Sequence, residues 1–309
     1  MQTGYKKKVL ILGGTGFIGK NLSIFLLNKN YSVSVISKNK QKKNNKIKYV
    51  KYIKLNLNNH NEVKDKIKDE YHYVINASGY VDHSNFKENG KKILEEHFLN
   101  IQNIIKIFIK SKKLFKFIQI GSGDEYGLNK SPMKETYREN PQSPYSYSKL
   151  ALTNFLEMMN KNENFPSSVL RVFLAYGPYQ ETNRLIPFIV KSCLGNKTFA
   201  VSSGLQIRDF CYIEDICEAV LKIMKKNQNL FQIYNVGSGE KTKVRDLIKK
   251  IVLMIGKGKP LFGQTKMRKQ EVKNLYPDLK KIKSHLKWKP KNNLDLGLKK
   301  TINFIKKQN

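Results

Sequence analysis

Residues 9–19, with the sequence Val-Leu-Ile-Leu-Gly-Gly-Thr-Gly-Phe-Ile-Gly, decide the fold of this chain. The four leading apolar residues predict a short strand that is buried on both faces of a parallel sheet. Apolar residues at helical spacing over 22–30 predict a helix after the glycines, and residues 31–36 predict a second strand. The glycines therefore occupy the strand-to-helix turn of a βαβ unit, which is a turn suited to binding phosphates.

The glycines of this turn have separate tasks in a dinucleotide site. Gly13 permits the tight turn, Gly16 lets the backbone approach a diphosphate, and Gly19 lets the helix pack closely on the strand. The amino end of the helix adds free N–H groups and the positive end of its dipole. The residues of this turn that are expected to bind the cofactor are Gly13, Thr15, Gly16, Phe17, Ile18 and Gly19.

Strand-like and helical segments alternate along the first half of the chain. Strands are predicted at 48–55, 73–76, 115–120 and 168–173, with helices at 62–68, 91–111 and 144–160 between them. This alternation predicts an α/β fold with a doubly wound parallel Rossmann sheet. We expect a dinucleotide-binding domain over 1–175, with a return segment near 208–237. Residues 176–309 are expected to form mainly a smaller α/β cap.

The end of the second predicted strand bears on the choice of cofactor. A ribose 2′-hydroxyl is usually bound by an acidic residue about 20 residues past the glycines, whereas this strand ends in Ser37 and Lys38. A hydroxyl and an ammonium can hold a 2′-phosphate, so the sequence favours NADP(H). NAD(H) is the alternative if Lys38 is only a solvated lysine. Asn56 and Leu57, which follow the third strand, and Ala77, which follows the fourth, are placed in the same site.

A tyrosine and a lysine four residues apart are the strongest candidates for the chemistry. Ser143 can cap a helix and Pro144 suits its first turn, so Tyr145 and Lys149 are predicted to share one helix face. A neighbouring ammonium favours the phenolate and lowers the pKa of a tyrosine from about 10, which allows proton transfer near neutral pH. Ser122 follows a predicted strand and can hydrogen-bond the same substrate oxygen.

Together these motifs resemble the extended short-chain dehydrogenase/reductases, the NAD-dependent epimerase/dehydratase family that acts on nucleotide sugars. The resemblance extends from Val9 to near the end of the chain. The matching segments are 13–19, Ser122 with Tyr126-Gly127, 141–149, 170–178, 183–187, 208–215, 234–239 and 288–290.

The resemblance implies a role for each residue of the predicted site. Tyr145 would be the acid/base, Lys149 would tune it and hold the nicotinamide ribose, and Ser122 would orient the sugar oxygen. The cap would bind the nucleotide of a nucleotide-sugar substrate. Further substrate contacts are expected from Asp124 and from three arginines suited to phosphate geometry, Arg184, Arg208 and Arg268. Family members often dimerise, so a homodimer is expected.

Departures from the family pattern separate the possible reactions. Gly123 and Asp124 stand where 4,6-dehydratases have an Asp-Glu pair, and Asp124 also takes the place of the fucose-synthase cysteine, so both of those reactions are disfavoured. His97 replaces an asparagine. The favoured hypothesis is NADPH-dependent reduction of the C4 keto group of a 4-keto-6-deoxy nucleotide sugar, as in abequose-synthase-type reductases. The alternative is an NAD-dependent C4 epimerase. A non-catalytic dinucleotide-binding protein is the third hypothesis.

Composition bears on the remaining classes of protein. The formal charge is +34, but 52 of the 58 basic residues are lysines spread along the chain, whereas base recognition usually uses arginine forks. No nucleic-acid partner is therefore expected. No apolar run reaches the roughly 20 residues of a membrane span. Three unpaired cysteines suit a reducing compartment, so a cytoplasmic protein is expected, and no histidine has a metal-site spacing.

Overall fold

The computed structural model describes residues 6–39, 41–42, 46–226, 230–267 and 271–308. The first βαβ unit forms as the sequence predicts, because its strands are apolar and its helix begins directly after the glycine turn. The elements of this part are β1 (Lys8–Leu12), α1 (Phe17–Asn28), β2 (Ser32–Ser37), β3 (Lys51–Lys54), α2 (His60–Lys66) and β4 (Tyr73–Asn76).

The next part of the chain holds the longest helix. Its elements are a π-helical turn (Phe86–Gly90), α3 (Lys91–Leu94), a second π-helical turn (Glu95–Leu99), α4 (Asn100–Phe108), β5 (Lys116–Ser122), a 3₁₀ turn (Gly123–Tyr126), α5 (Pro144–Glu163) and β6 (Ser167–Val172). The helix predicted over 91–111 thus contains one π-helical turn, and the other precedes it. Strand β5 includes Ser122, which was expected beyond its end. Ser143 caps α5, since its side chain accepts a hydrogen bond from the Ser146 amide, and Pro144 takes the first position.

The last part alternates short strands with helices. Its elements are β7 (Leu174–Tyr176), α6 (Leu185–Leu194), β8 (Thr198–Val201), β9 (Ile207–Arg208), β10 (Phe210–Tyr212), α7 (Ile213–Lys225), β11 (Gln232–Val236), β12 (Thr242–Lys243), α8 (Val244–Ile255), β13 (Lys259–Phe262), β14 (Asn274–Leu275), α9 (Lys280–Leu286) and α10 (Leu294–Lys306). Sequence reasoning missed several of the short strands, because two to four residues carry no readable periodicity. It also missed helices α6 and α9.

Within the described residues, the central sheet has seven parallel strands in the order β11-β6-β5-β4-β1-β2-β3. The strand order reverses between β1 and β4, so their carboxyl ends border a crevice where such sheets bind ligands. The predicted doubly wound Rossmann fold is confirmed. Smaller sheets pair β7 with β10, β8 with β13, and β9 with β12 and β14.

Strand β1 shows why a continuous apolar run forms the centre of this sheet. Val9 and Ile11 face one apolar cluster, which contains Leu22 of α1, whereas Leu10 and Leu12 face the other cluster, which helices α4 and α5 cover. All four strand residues are fully buried. Burial on both faces fixes the strand firmly and therefore holds the glycine turn at its carboxyl end in place. No helix in the described ranges has both the length and the apolar content to cross a membrane.

Candidate active site

The glycine turn packs tightly against the end of β4. Gly13 has a φ of +71°, and a Cβ there would lie 2.7 Å from Ser78 Cα. A Cβ at Gly19 would lie 2.3 Å from the Gly13 carbonyl oxygen. The fold itself therefore requires both glycines, as a turn and as a close helix contact.

Gly16 differs from both, because the protein does not require a glycine there. It is exposed, its φ of −76° suits any residue, and an added Cβ would only touch the Gly13 oxygen at 3.4 Å. Gly16 is also the N-cap of α1 and makes no side-chain cap bond. The open surface above Gly16, beside the first N–H groups of α1, fits the close approach of a diphosphate. Thr15, Phe17 and Ile18 border this surface and are half-buried.

At the end of β2, the two residues expected to bind a 2′-phosphate already have partners. Ser37 is buried, and its hydroxyl donates to the Asn39 carbonyl at 2.9 Å. The Lys38 ammonium lies 3.5 Å from a Glu96 carboxylate oxygen, in a largely exposed pair. A carboxylate next to Lys38 opposes the binding of a phosphate by that lysine.

The other predicted cofactor residues lie around the same sheet edge. Asn56 begins the turn that precedes α2, and the Leu57 carbonyl accepts a hydrogen bond from Asn103 of α4 at 2.9 Å. Ala77 follows β4, and its amide donates to the Leu12 carbonyl of β1. The fold thus brings Ala77 beside Gly13, because β1 and β4 are neighbouring strands.

The predicted catalytic residues converge where β5 meets α5. Tyr145 and Lys149 are buried on the same face of α5. The Tyr145 hydroxyl is hydrogen-bonded to the side chain of Ser122, which ends β5. The Lys149 ammonium donates to the Ser78 carbonyl at 3.2 Å and to the Ile120 carbonyl at 3.4 Å. These contacts join the end of β4, the end of β5 and helix α5 in one site.

The electrostatics of this pair differ from the sequence-based expectation. The prediction was a lowered pKa for Tyr145, but burial raises it, and the carboxylate of Asp124 raises it further. Burial also lowers the pKa of Lys149 to about 8, against an opposing effect of Glu125. Desolvation dominates the pKa of both groups in the folded protein. Tyr145 therefore holds its proton there.

Two neighbouring strands carry a buried amide pair that sequence reasoning missed. The Asn76 side chain donates to the Gln119 side chain at 2.6 Å and accepts from the Ser78 amide at 3.1 Å. The Gln119 amide donates in turn to the Ile120 carbonyl at 2.7 Å. These bonds fix the two carbonyls that receive Lys149. Their position at adjacent parallel strand ends was the signal available from the sequence.

Two histidines flank the Tyr145 ring, and neither was assigned a role from the sequence. The His83 and His97 rings each lie 5.6 Å from it, centroid to centroid, in edge-to-face contact. His97 is buried, and burial together with Lys149 lowers its pKa to about 3, so the ring is neutral. His97 Nε2 accepts a hydrogen bond from the Tyr80 amide at 3.2 Å. His83 Nε2 lies 3.8 Å from a carboxylate oxygen of Asp124.

The predicted substrate residues divide into two groups. Asp124 and Arg184 are close enough to influence the pKa of Tyr145, Asp124 raising it and Arg184 lowering it. Arg208 instead forms an ion pair with Glu271, and its guanidinium also donates to the Ile207 and Lys273 carbonyls. Arg268 lies outside the described residues. Across the described ranges, no cluster of three or more His, Cys, Asp or Glu side chains is placed to hold a metal.

The sequence matches the pattern of a known protein family and the sequences of known relatives. The pattern of the NAD dependent epimerase/dehydratase family matches residues 9–237. A putative UDP-glucose 4-epimerase of Methanocaldococcus jannaschii is 30% identical over 97% of this chain and 99% of its own length. The human dTDP-D-glucose 4,6-dehydratase is 27% identical over 98% of this chain and 91% of its own length.

Solved structures share the whole architecture. The UDP-glucose 4-epimerase of Thermotoga maritima, solved with UDP-glucose, has a TM-score of 0.87 at 24% identity, covering 97% of this chain and 99% of the other. MoeE5, solved with UDP-glucuronic acid and NAD, has a TM-score of 0.89 at 21% identity, covering 98% and 100%. The Bacillus cereus UDP-glucuronic acid 4-epimerase, solved with UDP-glucuronic acid and NAD, has a TM-score of 0.85 at 23% identity, covering 98% and 100%. At these identities the similarity establishes the fold.

Proposed function

Because the chain belongs to the NAD-dependent epimerase/dehydratase family, we propose that it is an NAD-dependent enzyme that inverts C4 of a nucleotide-linked sugar. The observation that carries this proposal is the convergence of Ser122, Tyr145 and Lys149 at the sheet edge next to the glycine turn. Epimerisation at C4 needs a proton acceptor and donor at one oxygen, and this site offers Tyr145 for both tasks. The favoured hypothesis of the sequence, a 4-keto-6-deoxy sugar reductase, has less support from the relatives.

The residues of this chain would manage the proton at the C4 oxygen. A bound nicotinamide supplies reversible hydride exchange with the sugar carbon, and the glycine turn with Lys149 would hold that cofactor. Tyr145 would take the hydroxyl proton as C4 is oxidised and return it as C4 is reduced. Ser122 would hydrogen-bond the same oxygen. The raised pKa of Tyr145 makes the return of the proton favourable. Removing the proton requires positive charge nearby, which Lys149 and an oxidised nicotinamide would provide.

The cofactor that we propose is NAD rather than the NADP favoured by the sequence. MoeE5 and the Bacillus cereus epimerase were both solved with NAD. In this chain, Lys38 faces Glu96 and the Ser37 hydroxyl is bonded to a carbonyl. The Ser37 hydroxyl could donate to a 2′-phosphate only by giving up its present bond, and the Glu96 carboxylate opposes an anion beside Lys38.

The reductase remains a second candidate because of one observation. The end of β2 lacks the acidic residue that typically binds the ribose 2′-hydroxyl. A reductase would exchange its cofactor at every turnover, whereas an epimerase can retain it. The two functions therefore predict different cofactor content in the purified protein.

We also propose that the region 176–309 binds the nucleotide and that the protein is a homodimer. Arg184 supports the first point, because its charge reaches the Tyr145 hydroxyl from the start of α6. The dimer rests on resemblance to the family and is tested by light scattering of the purified chain.

Two assays on the purified full chain test the function. The protein is denatured and any released dinucleotide is identified. The intact protein is then incubated with UDP-glucose, UDP-glucuronic acid or dTDP-glucose, and the products are identified by NMR. Retained NAD and interconversion of C4 epimers without net NADH consumption are expected. A Tyr145→Phe variant serves as the inactive control.

Other products would replace the proposal. Loss of water to give a 4-keto-6-deoxy sugar would identify a dehydratase. Consumption of NADPH with a 4-keto-6-deoxy substrate would restore the reductase hypothesis. Retention of NAD with no change in any of these sugars would contradict an epimerase for the tested substrates.

A further inference from the structure

Glu125 lies directly behind the catalytic residues and is fully buried. One carboxylate oxygen accepts the Ser122 amide at 2.9 Å. The other accepts the Thr153 hydroxyl at 3.0 Å and the Arg171 Nε–H at 2.8 Å. A buried carboxylate with three donors is well stabilised, and its partners come from three separate elements. None of these contacts is part of the proton transfer described above.

The partners of Glu125 connect the two halves of the catalytic site. Ser122 ends β5, while Thr153 lies on α5 one turn after Lys149. The single hydroxyl hydrogen of Thr153 is shared between Glu125 and the Lys149 carbonyl, whose oxygen lies 3.1 Å from the hydroxyl oxygen. One carboxylate thus joins the backbone of the serine to the helix that carries the tyrosine and the lysine. A shift of Glu125 would change the distance between those two elements.

Gly121 leaves room for the Glu125 carboxylate. A Cβ on Gly121 would lie 2.5 Å from Oε1 of Glu125, the oxygen that accepts the Ser122 amide. Any larger residue at position 121 would therefore displace the carboxylate. Gly121 lies within β5, where its conformation does not require a glycine. The space taken by the Glu125 carboxylate therefore gives a physical reason for this glycine.

The cluster around Glu125 keeps a negative charge. Arg171 is fully buried and pairs with two carboxylates, Glu125 at 2.8 Å and Glu139 at 2.5 Å. Two carboxylates facing one guanidinium leave one negative charge uncompensated, and Glu135 and Lys281 nearby add one charge of each sign. Glu125 lies on the side of α5, whereas Glu139 is partly exposed and bonds neither Ser122 nor Thr153. The effective charge beside the catalytic helix is thus that of Glu125.

We propose that Glu125 is a positioning residue of the active site, which fixes the Ser122 backbone relative to α5 and places a buried negative charge beside Tyr145 and Lys149. This inference rests on the proposed catalytic role of those residues. A negative charge there favours the ammonium form of the lysine and the neutral form of the tyrosine. Both effects keep the pair protonated until substrate and cofactor are bound.

Other charged groups also face the pair and have to be considered with Glu125. Lys149 is faced by Glu125 and by the neutral ring of His97. Besides Lys149 and Glu125, the groups around Tyr145 are Asp124 and Arg184, which act on its pKa, and the rings of His83 and His97. Burial lowers the pKa of Lys149, and Glu125 raises it. Replacing Glu125 with a neutral group should therefore lower the pKa of Lys149 further.

The titration of Lys149 in the full chain, emptied of any retained dinucleotide and without substrate, tests this inference. Lysines labelled with ¹³C at Cε are followed by NMR against pH, and the Lys149 signal is assigned by its loss in Lys149→Met. The midpoint is expected near 8 in the wild type. In Glu125→Gln it should move down by about one pH unit, as expected for removing one nearby buried charge.

Glu139→Gln is the matched control, because it removes the other carboxylate bonded to Arg171. Both variants weaken the same buried ion pair and should lower the melting temperature. Only Glu125→Gln should move the Lys149 midpoint substantially. An unchanged midpoint in Glu125→Gln, or an equal shift in the two variants, would show that Glu125 only stabilises the fold.

A second variant covers the case in which Glu125→Gln does not fold. Gly121→Ala keeps every charge but pushes the carboxylate away from the Ser122 amide. Hydrogen exchange of that amide should quicken by about tenfold, the effect of losing roughly 1.4 kcal/mol of protection. Unchanged exchange would overturn the inference. Both measurements need no substrate, so a failure of the proposed C4 epimerisation would be recognised separately in the product assays.

Discussion

The catalytic edge of the sheet and the C-terminal region both bury acidic side chains, but they satisfy them with different partners. Glu125 bonds a guanidinium, a hydroxyl and one amide. Asp209 instead accepts two backbone amides, those of Ser238 and Gly239, both at 2.6 Å. Asp215 accepts the amides of residues 291 and 292 and the side-chain amide of the latter.

The difference separates a structural carboxylate from one that acts on the site. Backbone amides carry no titratable group, so Asp209 and Asp215 fasten distant chain segments to one another. Trp288 adds to the contacts of Asp215, since its indole N–H donates to the Asp215 backbone carbonyl at 3.1 Å. Glu125 contacts the helix of Tyr145 and Lys149 and raises the pKa of that lysine, which is why we propose a role for it beyond stability. The same residue class therefore has different roles in the two regions because its partners differ.

The largest expected effect concerns the catalytic edge. Under the proposed function, Tyr145→Phe removes the hydroxyl that would exchange the proton, so turnover should fall by about 10²–10⁴-fold. NAD affinity and the melting temperature should change little, because the ring and its histidine contacts remain. Steady-state kinetics and calorimetric titration with NAD measure the two quantities. Retained turnover would mean that another group, such as His83, moves the proton.

The next effect is a loss of stability on replacing Asp215 in the C-terminal region. Asp215→Ala leaves the buried amides of residues 291 and 292 without an acceptor, so the free energy of unfolding should fall by about 3 kcal/mol. Turnover per folded molecule should stay near the wild-type value. Chemical denaturation and activity at low temperature provide the comparison. A large loss of turnover in folded Asp215→Ala would mean that the buried carboxylate of the C-terminal region also acts on the active site.

Replacing Lys149 should change the free energy of unfolding by less than Asp215→Ala does, and in the opposite direction. Its pKa is lowered from 10.5 to about 8 in the folded protein, so the ammonium costs stability below pH 8, and this cost disappears as the pH rises towards 10.5. Lys149→Met should therefore raise the free energy of unfolding by about 1–2 kcal/mol at pH 7. The gain over the wild type should vanish near pH 10.5. Denaturation of both proteins across this range is the measurement, and a destabilised variant at pH 7 would contradict it.

The smallest effect is expected at Lys38. If NAD is the cofactor, Lys38→Ala should change the affinity for NAD by less than about twofold, since an exposed ion pair contributes little. Fluorescence titration of the emptied protein with NAD and NADP measures the preference. A selective loss of NADP binding by tenfold or more would restore the 2′-phosphate site that the sequence suggested.

Local patterns in the sequence were enough to predict the architecture, and the same patterns point to the reacting groups that we propose. The apolar run of β1 followed by Gly13, Gly16 and Gly19 permits few folds, because the run must be buried on both faces and the glycines must turn into a helix. The spacing of Tyr145 and Lys149 also fixed their common face, since helix geometry is local.

The electrostatic state of the site, and the presence of several of its residues there, depend on tertiary contacts. Burial of Tyr145 reversed the predicted direction of its pKa, and burial depends on elements distant in sequence. Glu125 was missed although it forms a local capping box with Ser122, because its other partners, Thr153 and Arg171, lie on α5 and β6 far along the chain. Lys38 pairs with Glu96, from which it is separated by 58 residues in the chain. Periodicity and spacing report local geometry, whereas desolvation and ion pairing depend on which strands and helices the fold makes neighbours.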